Sequence, residues 1–221
     1  MGDDARDNRI SSFPAAETLC LARLRRPLLA RLLGRACRAL RAVYWRRRLA
    51  SFGPGSSIDR PAHVVGFRSI AVGGRVEIHR GARIEALGDP DGGVVLRIGD
   101  GAKIHPDVHI GAVRSVTIGR GALLAGRVYI TDHDHDFSDP DDPPVSNRRV
   151  TAAPVSIGDY AWLGEAAMVL KGVTIGERSV VGAGSVVTRD VPPLSLALGA
   201  PARVVKRYDR ARRAWVKADP P

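Results

Sequence analysis

Aromatic residues and cysteines are scarce in this chain, and each shortage excludes some classes of protein structure. Aromatic side chains make up 5% of the 221 residues, so we expect a core filled by aliphatic side chains. The two cysteines, Cys20 and Cys37, have no companions at ligand spacing, which predicts neither a metal site nor a disulfide framework. No stretch is long and apolar enough to span a bilayer, and arginines interrupt the first apolar runs before a signal peptide is formed. These features indicate a cytoplasmic protein.

The positive charge is confined to one segment. A net charge of +11 would suggest nucleic-acid binding if it were spread over a surface. Residues 16–50, however, hold ten arginines and one glutamate, which accounts for nearly all of the excess. The rest of the chain lacks the interleaved basic and aromatic residues of a strand-binding surface. We therefore expect no nucleic-acid partner.

The basic segment, residues 16–50, predicts an amphipathic helix. Leucines recur at three- and four-residue steps with arginines between them, and Pro27 suits the first turn of a helix. Residues 1–15, which precede it, are expected to be disordered. Two interpretations stay open for the helix. It either caps the end of the following domain, as repeat proteins require, or it lies on the inner face of an anionic membrane through residues 21–48.

The rest of the chain is dominated by a repeat of six residues. Neither a helix, with a period of 3.6, nor an ordinary strand, with a period of 2, produces this spacing. Short repeats of fixed length predict a solenoid, and six residues fit one face of a triangular parallel β-helix. The repeating aliphatic positions are Val72, Ile78, Ile84, Ile98, Ile104, Ile110, Ile118, Leu124, Ile130, Ile157, Leu163, Val169, Ile175, Val181 and Val187.

The repeat also predicts the domain organisation. Five coils are expected within residues 68–191, with a linker over residues 51–67 that leads into the first of them. Residues 132–153 interrupt the repeat with a polar, proline-rich loop, and insertions of this kind in repeat proteins are usually functional. Residues 192–221 are expected to form a C-terminal cofactor-binding segment that ends in a short helix or tail.

The interrupting loop begins with the strongest catalytic candidate. His133 lies in the run Thr131-Asp132-His133-Asp134-His135, where carboxylates can orient an imidazole. Imidazole titrates near neutral pH and can therefore take a proton from a hydroxyl group. His133 is the preferred general base and His135 is the alternative.

With its six-residue repeat and its histidine-bearing loop, the chain resembles the hexapeptide-repeat acyltransferases. Within them, it resembles the galactoside, maltose and xenobiotic acetyltransferase branch. The resemblance covers roughly residues 68–206 and implies a left-handed, all-β solenoid. Besides the hexads and the histidine that opens the loop, it rests on the runs Ile157-Gly158-Asp159-Tyr160-Ala161-Trp162-Leu163-Gly164, Gly172-Val173-Thr174-Ile175-Gly176, Val181-Gly182-Ala183-Gly184-Ser185 and Gly199-Ala200-Pro201-Ala202-Arg203.

The resemblance implies an O-acetyltransferase that acts as a homotrimer, with its active sites in clefts between subunits. Acetyl-CoA is the implied donor, and a hydroxyl of a sugar, glycan or glycosylated small molecule is the implied acceptor. No metal is implied. By position, His133 matches the general base, and Asp132, Trp162 and His105 match the acceptor side. The positions that match the cofactor side are Gly164, Glu165, Ala183, Thr188, Arg189, Arg203 and Lys206.

Three other functions stay open at this point. An N-acyltransferase that acts on an amino sugar would use the same scaffold. A γ-type zinc carbonic anhydrase would need three histidines around one metal ion, for which His105, His109 and His133 are the candidates. A non-catalytic β-helix could serve as an assembly module.

Overall fold

The computed structural model describes residues 39–61, 63–88 and 92–218, which wind through three parallel sheets. The first face contains β1 (Ser51–Phe52), β4 (Ile70–Val72), β7 (Leu96–Ile98), β10 (Val116–Ile118), β15 (Val155–Ile157) and β18 (Thr174–Ile175). The second contains β2 (Ser57–Ile58), β5 (Glu77–Ile78), β8 (Lys103–Ile104), β11 (Leu123–Leu124), β16 (Trp162–Leu163) and β19 (Val180–Val181). The third contains β3 (His63–Val65), β6 (Arg83–Ala86), β9 (His109–Ala112), β12 (Tyr129–Thr131), β17 (Met168–Val169) and β20 (Val186–Val187). The predicted left-handed β-helix is confirmed.

Each inward aliphatic side chain stacks on its counterpart in the next coil. On the third face the strand ladders align Ile84 with Ile110 and Ile110 with Ile130. All three are at most 2% exposed. Neighbouring strands lie about 4.8 Å apart, so the repeat places one aliphatic residue per face in continuous contact along the prism. This stacking explains why the spacing of six outweighs any other periodicity in the sequence.

The corners between the first and second faces bring successive coils very close together. Gly119 shows the constraint, because a Cβ atom there would lie 2.6 Å from the backbone nitrogen of Asp159 in the next coil. Only a residue without a side chain fits this contact. Asp159 also accepts a hydrogen bond from the backbone N–H of Arg120 at 2.7 Å, which ties the two corners together.

The β-helix begins earlier than the sequence analysis expected. Strands β1, β2 and β3 pair in parallel with β4, β5 and β6, so the segment predicted as a linker is a complete coil. Phe52 and Ile58 are buried in the core, and with Val64 they keep the spacing of six. The linker prediction was wrong because glycine, proline and serine between these positions hid a repeat that continues through them.

A short helical stretch and a 3₁₀ turn lie beside this first coil. Residues 39–48 are helical, and Trp45 and Leu49 are buried in the same core cluster as the first coil. The ring of Trp45 lies 6.3 Å from the ring of Phe67 in the 3₁₀ turn Phe67–Ser69. Predictions for residues 1–38 fall outside the described residues. In the described ranges, no helix has both the length and the apolar character needed to cross a membrane.

The C-terminal segment is composed of strands and not of the helix or tail that the sequence analysis expected. Strand β21 (Ser195–Gly199) pairs in parallel with β19, and β22 (Ala202–Asp209) and β23 (Ala214–Lys217) add to it in antiparallel order. The open edge of the second face offers unpaired backbone groups, which these strands satisfy. The β-branched residues Val204 and Val205 also favour an extended chain over a helix.

Residues 132–153 leave the prism after β12 as an excursion. Its base is a hairpin of β13 (His133–His135) and β14 (Val150–Ala152). Asn147 is buried and donates through Nδ2 to the carbonyl of Asp142 at 2.6 Å. The Arg149 guanidinium pairs with Asp136 at 3.1 Å and with Asp142 at 3.0 Å. These contacts give the polar excursion a defined conformation.

Candidate active site

His133 lies over the third face of the β-helix, where the excursion leaves β12. Its ring occupies the space that a side chain at position 111 would fill. A Cβ atom on Gly111 would lie 3.2 Å from Cε1 of His133. The His133 side chain is 17% exposed, so one edge of the imidazole still reaches solvent.

A buried carboxylate orients this imidazole. Asp132 is fully buried and accepts hydrogen bonds from the backbone N–H groups of Val113 at 2.8 Å, Arg114 at 2.7 Å and Ser115 at 2.6 Å. Its Oδ1 also lies 3.0 Å from Nδ1 of His133. Because a carboxylate only accepts, Nδ1 carries the proton in this pair and Nε2 keeps its lone pair. The arrangement prepares Nε2 to accept a proton.

The predicted role of Asp132 in acceptor binding is wrong. Its side chain has no exposed surface, and both of its oxygens are already occupied by protein donors. An acceptor molecule therefore cannot reach this carboxylate directly. The Thr131 hydroxyl, in turn, donates to the carbonyl of His133 at 2.9 Å, which adds a second local constraint on the histidine.

His135, the alternative base, has a different environment. It is exposed at the far end of β13, and among the described residues no carboxylate pairs with its ring. Between the two histidines, Asp134 points to Lys171, whose Nζ lies 2.5 Å from Oδ2. Lys171 also donates to the hydroxyl of Thr151 at 2.9 Å, so this pair ties the hairpin to the next coil.

A second polar cluster lies on the same face, towards the N-terminal coils. It consists of Glu85 with Arg83, His109 and His63, and we call it the Glu85 cluster. Arg83 donates twice to Oε1 of Glu85, at 3.0 and 2.7 Å, and Nε2 of His109 lies 3.1 Å from Oε2. Burial raises the pKa of the Glu85 carboxyl, but the hydrogen bonds from Arg83 and His109 outweigh it and bring the pKa below its ordinary value of 4.5.

The Glu85 cluster was not predicted from the sequence, although the repeat contained a signal for it. Arg83 and Glu85 flank the inward Ile84, and His109 and Gly111 flank the inward Ile110. Both aliphatic residues belong to the third face, so the register alone places these neighbours outward and side by side.

Three arginines meet near the C-terminal end of the prism. Arg189, Arg203 and Arg207 line a cavity of about 280 Å³ together with Pro192 and Val204. Arg189 and Arg203 were predicted from the sequence, whereas Arg207 was not. A cavity with several guanidinium groups is suited to phosphate oxygens, which they can bind in bidentate geometry.

Lys206 lies apart from these arginines. It lines a hollow of about 270 Å³ on the second face with Trp162, Val180, Leu196 and Trp215. The structure therefore does not bring Lys206 together with Arg189 and Arg203, although all three were predicted to be on the cofactor side. A larger hollow of about 570 Å³ lies on the first face and contains none of the predicted site residues.

The other predicted residues follow two different edges of the prism. His105, Glu165 and Ala183 occupy corners between the second and third faces. Glu165 and Ala183 are in successive coils, and the coil that contains β11 separates them from His105. Thr188 and Arg189 follow β20 at the edge where His133 also leaves the third face. Residues that were predicted for one site therefore lie along two different edges of the prism within a single chain.

Gly164 has a clear packing role. It is buried, and a Cβ atom there would lie 2.6 Å from the backbone nitrogen of Ala183. This position needs a glycine because two coils meet backbone to backbone there.

The histidine trio that a zinc carbonic anhydrase would require is not assembled. His105 packs beside His79 with ring centres 5.3 Å apart, at the corner after the second face. His109 and His133, in contrast, lie on the third face with Glu85 and Asp132 as their partners. In the part of the chain that the structure describes, no group of three histidine, cysteine or acidic side chains is arranged to hold a metal ion.

Comparison with known proteins agrees with this architecture. The family model described as bacterial transferase hexapeptide (six repeats) matches residues 154–189. WbbJ of Escherichia coli (strain K12), whose name assigns it to lipopolysaccharide biosynthesis as an O-acetyl transferase, is 37% identical over 164 residues, which are 72% of this chain and 82% of WbbJ. The chain therefore belongs to the hexapeptide-repeat acetyltransferases, and it is an acyltransferase.

Solved structures show the same fold. AntD, an N-acyltransferase from Bacillus cereus in complex with dTDP and 3-hydroxybutyryl-CoA, aligns with a TM-score of 0.64 at 21% identity, over 77% of this chain and 89% of AntD. The hexapeptide-repeat acetyltransferase VCA0836 from Vibrio cholerae O1 biovar eltor, complexed with acetyl coenzyme A, aligns with a TM-score of 0.53 at 27% identity, over 76% of each chain.

Proposed function

We propose that this protein transfers an acetyl group from acetyl-CoA to a hydroxyl of a sugar, glycan or glycosylated small molecule. The observation that carries the proposal is the His133 imidazole, whose Nδ1 is held by the buried Asp132 while Nε2 is left as the proton acceptor. The relation to WbbJ supports a saccharide as the acceptor and an O-acetyl product.

The proposed reaction takes place directly between the two substrates. Nε2 of His133 removes the proton of the acceptor hydroxyl as its oxygen attacks the thioester carbonyl. The tetrahedral intermediate then collapses, the C–S bond breaks, and the proton passes from the imidazolium to the leaving CoA thiolate. Holding both substrates in one cleft supplies much of the rate, because the reacting atoms no longer have to find each other in solution.

A backbone group is available to stabilise the intermediate. The N–H of Glu165 donates no hydrogen bond to any described residue, although its carbonyl accepts one from Gly184 at 2.8 Å. We infer that this N–H points to the developing oxyanion, where a preorganised donor lowers the barrier. The Glu165 side chain is engaged elsewhere, since Oε1 pairs with Arg127 at 2.8 Å.

The donor is proposed to lie along the C-terminal coils. Arg189, Arg203 and Arg207 are placed to pair with the phosphates of acetyl-CoA. Ala183 and Thr188 are exposed at corners of the last coil, where the pantetheine arm would pass. Lys206 lies on another face, so in this proposal it contacts the donor only across a subunit boundary.

The distribution of residues over two edges supports a homotrimer. Within one chain, the His133 edge and the edge that carries Glu165 and Ala183 lie on opposite sides of the third face. A cleft between two prisms would bring the first edge of one subunit to the second edge of its neighbour. Native mass spectrometry should show three copies, and a stable monomer with full activity would contradict the cleft.

Peripheral contact with an anionic membrane is proposed for the N-terminal basic segment. In its described part, Leu40 is 71% exposed, while Trp45 is buried in the core. Residues 40–49 thus pack on the first coil and still present exposed apolar side chains beside arginines, a combination that suits the inner leaflet of a membrane. Flotation with phosphatidylserine vesicles tests this idea, and equal binding to neutral vesicles would contradict it.

The proposed function is tested by mass spectrometry of saccharides incubated with the protein and acetyl-CoA. We expect a gain of one acetyl group on a hydroxyl, with release of one CoA thiol per product. Acetylation of amine groups only would show that the protein is an N-acyltransferase and not an O-acetyltransferase. Absence of acetyl-CoA binding would overturn the proposal.

A further inference from the structure

We propose that the Glu85 cluster is the part of the active site that selects the acceptor, by binding a second hydroxyl of the sugar whose first hydroxyl is activated by His133. The inference rests on the proposed function and adds to it a set of specificity-determining residues. None of Arg83, Glu85 and His109 is needed for the proton transfer itself.

The strand register places the cluster beside the base. Glu85 pairs directly with Gly111 between β6 and β9, and Gly111 is the residue over which the His133 ring lies. The Glu85 side chain therefore projects from a position only about 4.8 Å, one strand spacing, from the backbone beneath the imidazole. His109 lies two residues before Gly111 on the same outward side of β9. Two residues of a strand span about 7 Å, and this is the separation that a sugar held at Nε2 of His133 would bridge to contact His109 in the proposal.

The hydrogen bonds define what the cluster can recognise. The Glu85 carboxylate accepts from Nε2 of His109, and in the neutral imidazole this leaves a lone pair on Nδ1. No described residue bonds this Nδ1, and no buried side-chain nitrogen or oxygen in the described ranges lacks a partner, so the atom is open to solvent. The Arg83 side chain is 54% exposed and uses only Nε and one terminal nitrogen on Glu85.

The cluster thus presents one acceptor, Nδ1 of His109, beside one donor, the free guanidinium edge of Arg83. A hydroxyl group both donates and accepts and can satisfy the two at once. A phosphate without protons only accepts, and an ammonium only donates, so each would leave one of the two groups unpaired. The Tyr129 ring, 5.1 Å from that of His109, adds an apolar surface next to the polar pair. This combination fits the ring of a neutral saccharide.

The test compares acceptors that differ by one hydroxyl. Methyl glycopyranosides and their monodeoxy analogues are used as probes, and CoA thiol release gives kcat and KM. In the wild type, removing the second hydroxyl should lower kcat/KM by about tenfold or more, because a site built to bond a hydroxyl rejects its absence. In Glu85→Gln and in His109→Phe this discrimination should fall to about twofold, with KM for the glycoside raised and KM for acetyl-CoA unchanged.

Glu77→Gln is the matched control. Glu77 also pairs with a histidine and a cation, His79 at 3.9 Å and Lys103 at 3.6 Å, but it lies on the second face. It should retain the wild-type discrimination. A merely structural role for Glu85 would lower all rates alike and leave the ratio between glycoside and deoxyglycoside unchanged, which would overturn the inference.

Two further outcomes separate this inference from the proposed function. A wild-type protein that binds acetyl-CoA and acetylates none of the glycosides would overturn the saccharide subsite while leaving donor binding intact. A wild-type protein that does not bind acetyl-CoA would overturn the proposed function itself.

Discussion

The buried Asp132 carboxylate fixes both the position and the tautomer of the His133 imidazole. Three backbone N–H groups from the preceding coil hold the carboxylate, so His133 is anchored to the β-helix and not only to the excursion. One residue therefore links the stability of the prism to the direction in which Nε2 points. In its proposed role as the base, an imidazole preorganised in this way would lose little energy to reorientation during the reaction.

Replacing Asp132 with asparagine should separate these two effects. An amide places an N–H group where the carboxylate now accepts four hydrogen bonds, so at least one donor loses its partner. We expect a loss of about 1–3 kcal/mol in the free energy of unfolding and a fall of roughly 100-fold or more in kcat, because the wrong tautomer is favoured. Thermal denaturation and CoA release measure the two quantities. Unchanged kcat in a folded variant would contradict the orienting role.

The proposal of His133 as the base comes from the sequence, whereas the surroundings of His133 could not be predicted from it. His133 was distinguished by opening a loop that interrupts a regular repeat, and that reasoning needs no coordinates. The backbone donors of residues 113–115 come from a different coil, so only the fold brings them to Asp132. Glu85 could have been placed from its register position, but it belongs to no family motif and nothing in the local sequence marks it as functional.

The excursion over residues 132–153 is an element held together by its own charges. Hydrogen bonds from Ser138 and from the Arg149 guanidinium lower the pKa of Asp136 to about 2, from an ordinary value of 3.8. The pKa of Arg149 is correspondingly raised by Asp136 and Asp142. The same arginine thus connects the two ends of the excursion.

This pairing predicts a pH dependence of the excursion. Because the pKa of Asp136 is depressed in the folded state, its contribution is complete above 3.8 and is lost as the pH falls through about 2. Carbon-13 NMR of the Asp136 carboxyl should still show the ionised form at about pH 3, and Arg149→Ala should shift the titration towards the ordinary value. A wild-type midpoint at or above 3.8 would contradict the pairing.

At the level of elements, the repeat predicted the three-faced coil well and its two ends poorly. Phe52, Ile58 and Val64 keep the spacing of six, yet the glycines and prolines around them resemble a linker. The C-terminal strands depend on an open sheet edge at β19, and a local pattern cannot reveal such an edge. Both misses concern the point where a regular solenoid has to begin or end.

On the scale of the whole molecule, the three groups of residues with a proposed role lie one after another along the axis of the prism. The Glu85 cluster belongs to the N-terminal coils, His133 lies over the central ones, and the three arginines lie at the C-terminal end. Acceptor, base and donor would thus be arranged in the order in which the coils are stacked. Because the base and the arginines lie in different coils, removal of one should leave the other functional.

The central claim is that His133 is the base and that donor binding does not depend on it. We expect His133→Ala to lower the rate of acetyl transfer by about 10²–10⁴-fold, while its Kd for acetyl-CoA, measured by isothermal titration calorimetry, stays within about twofold of the wild type. His135→Ala, the matched control from the same hairpin, should retain most of the activity. An unchanged transfer rate in His133→Ala would contradict the account.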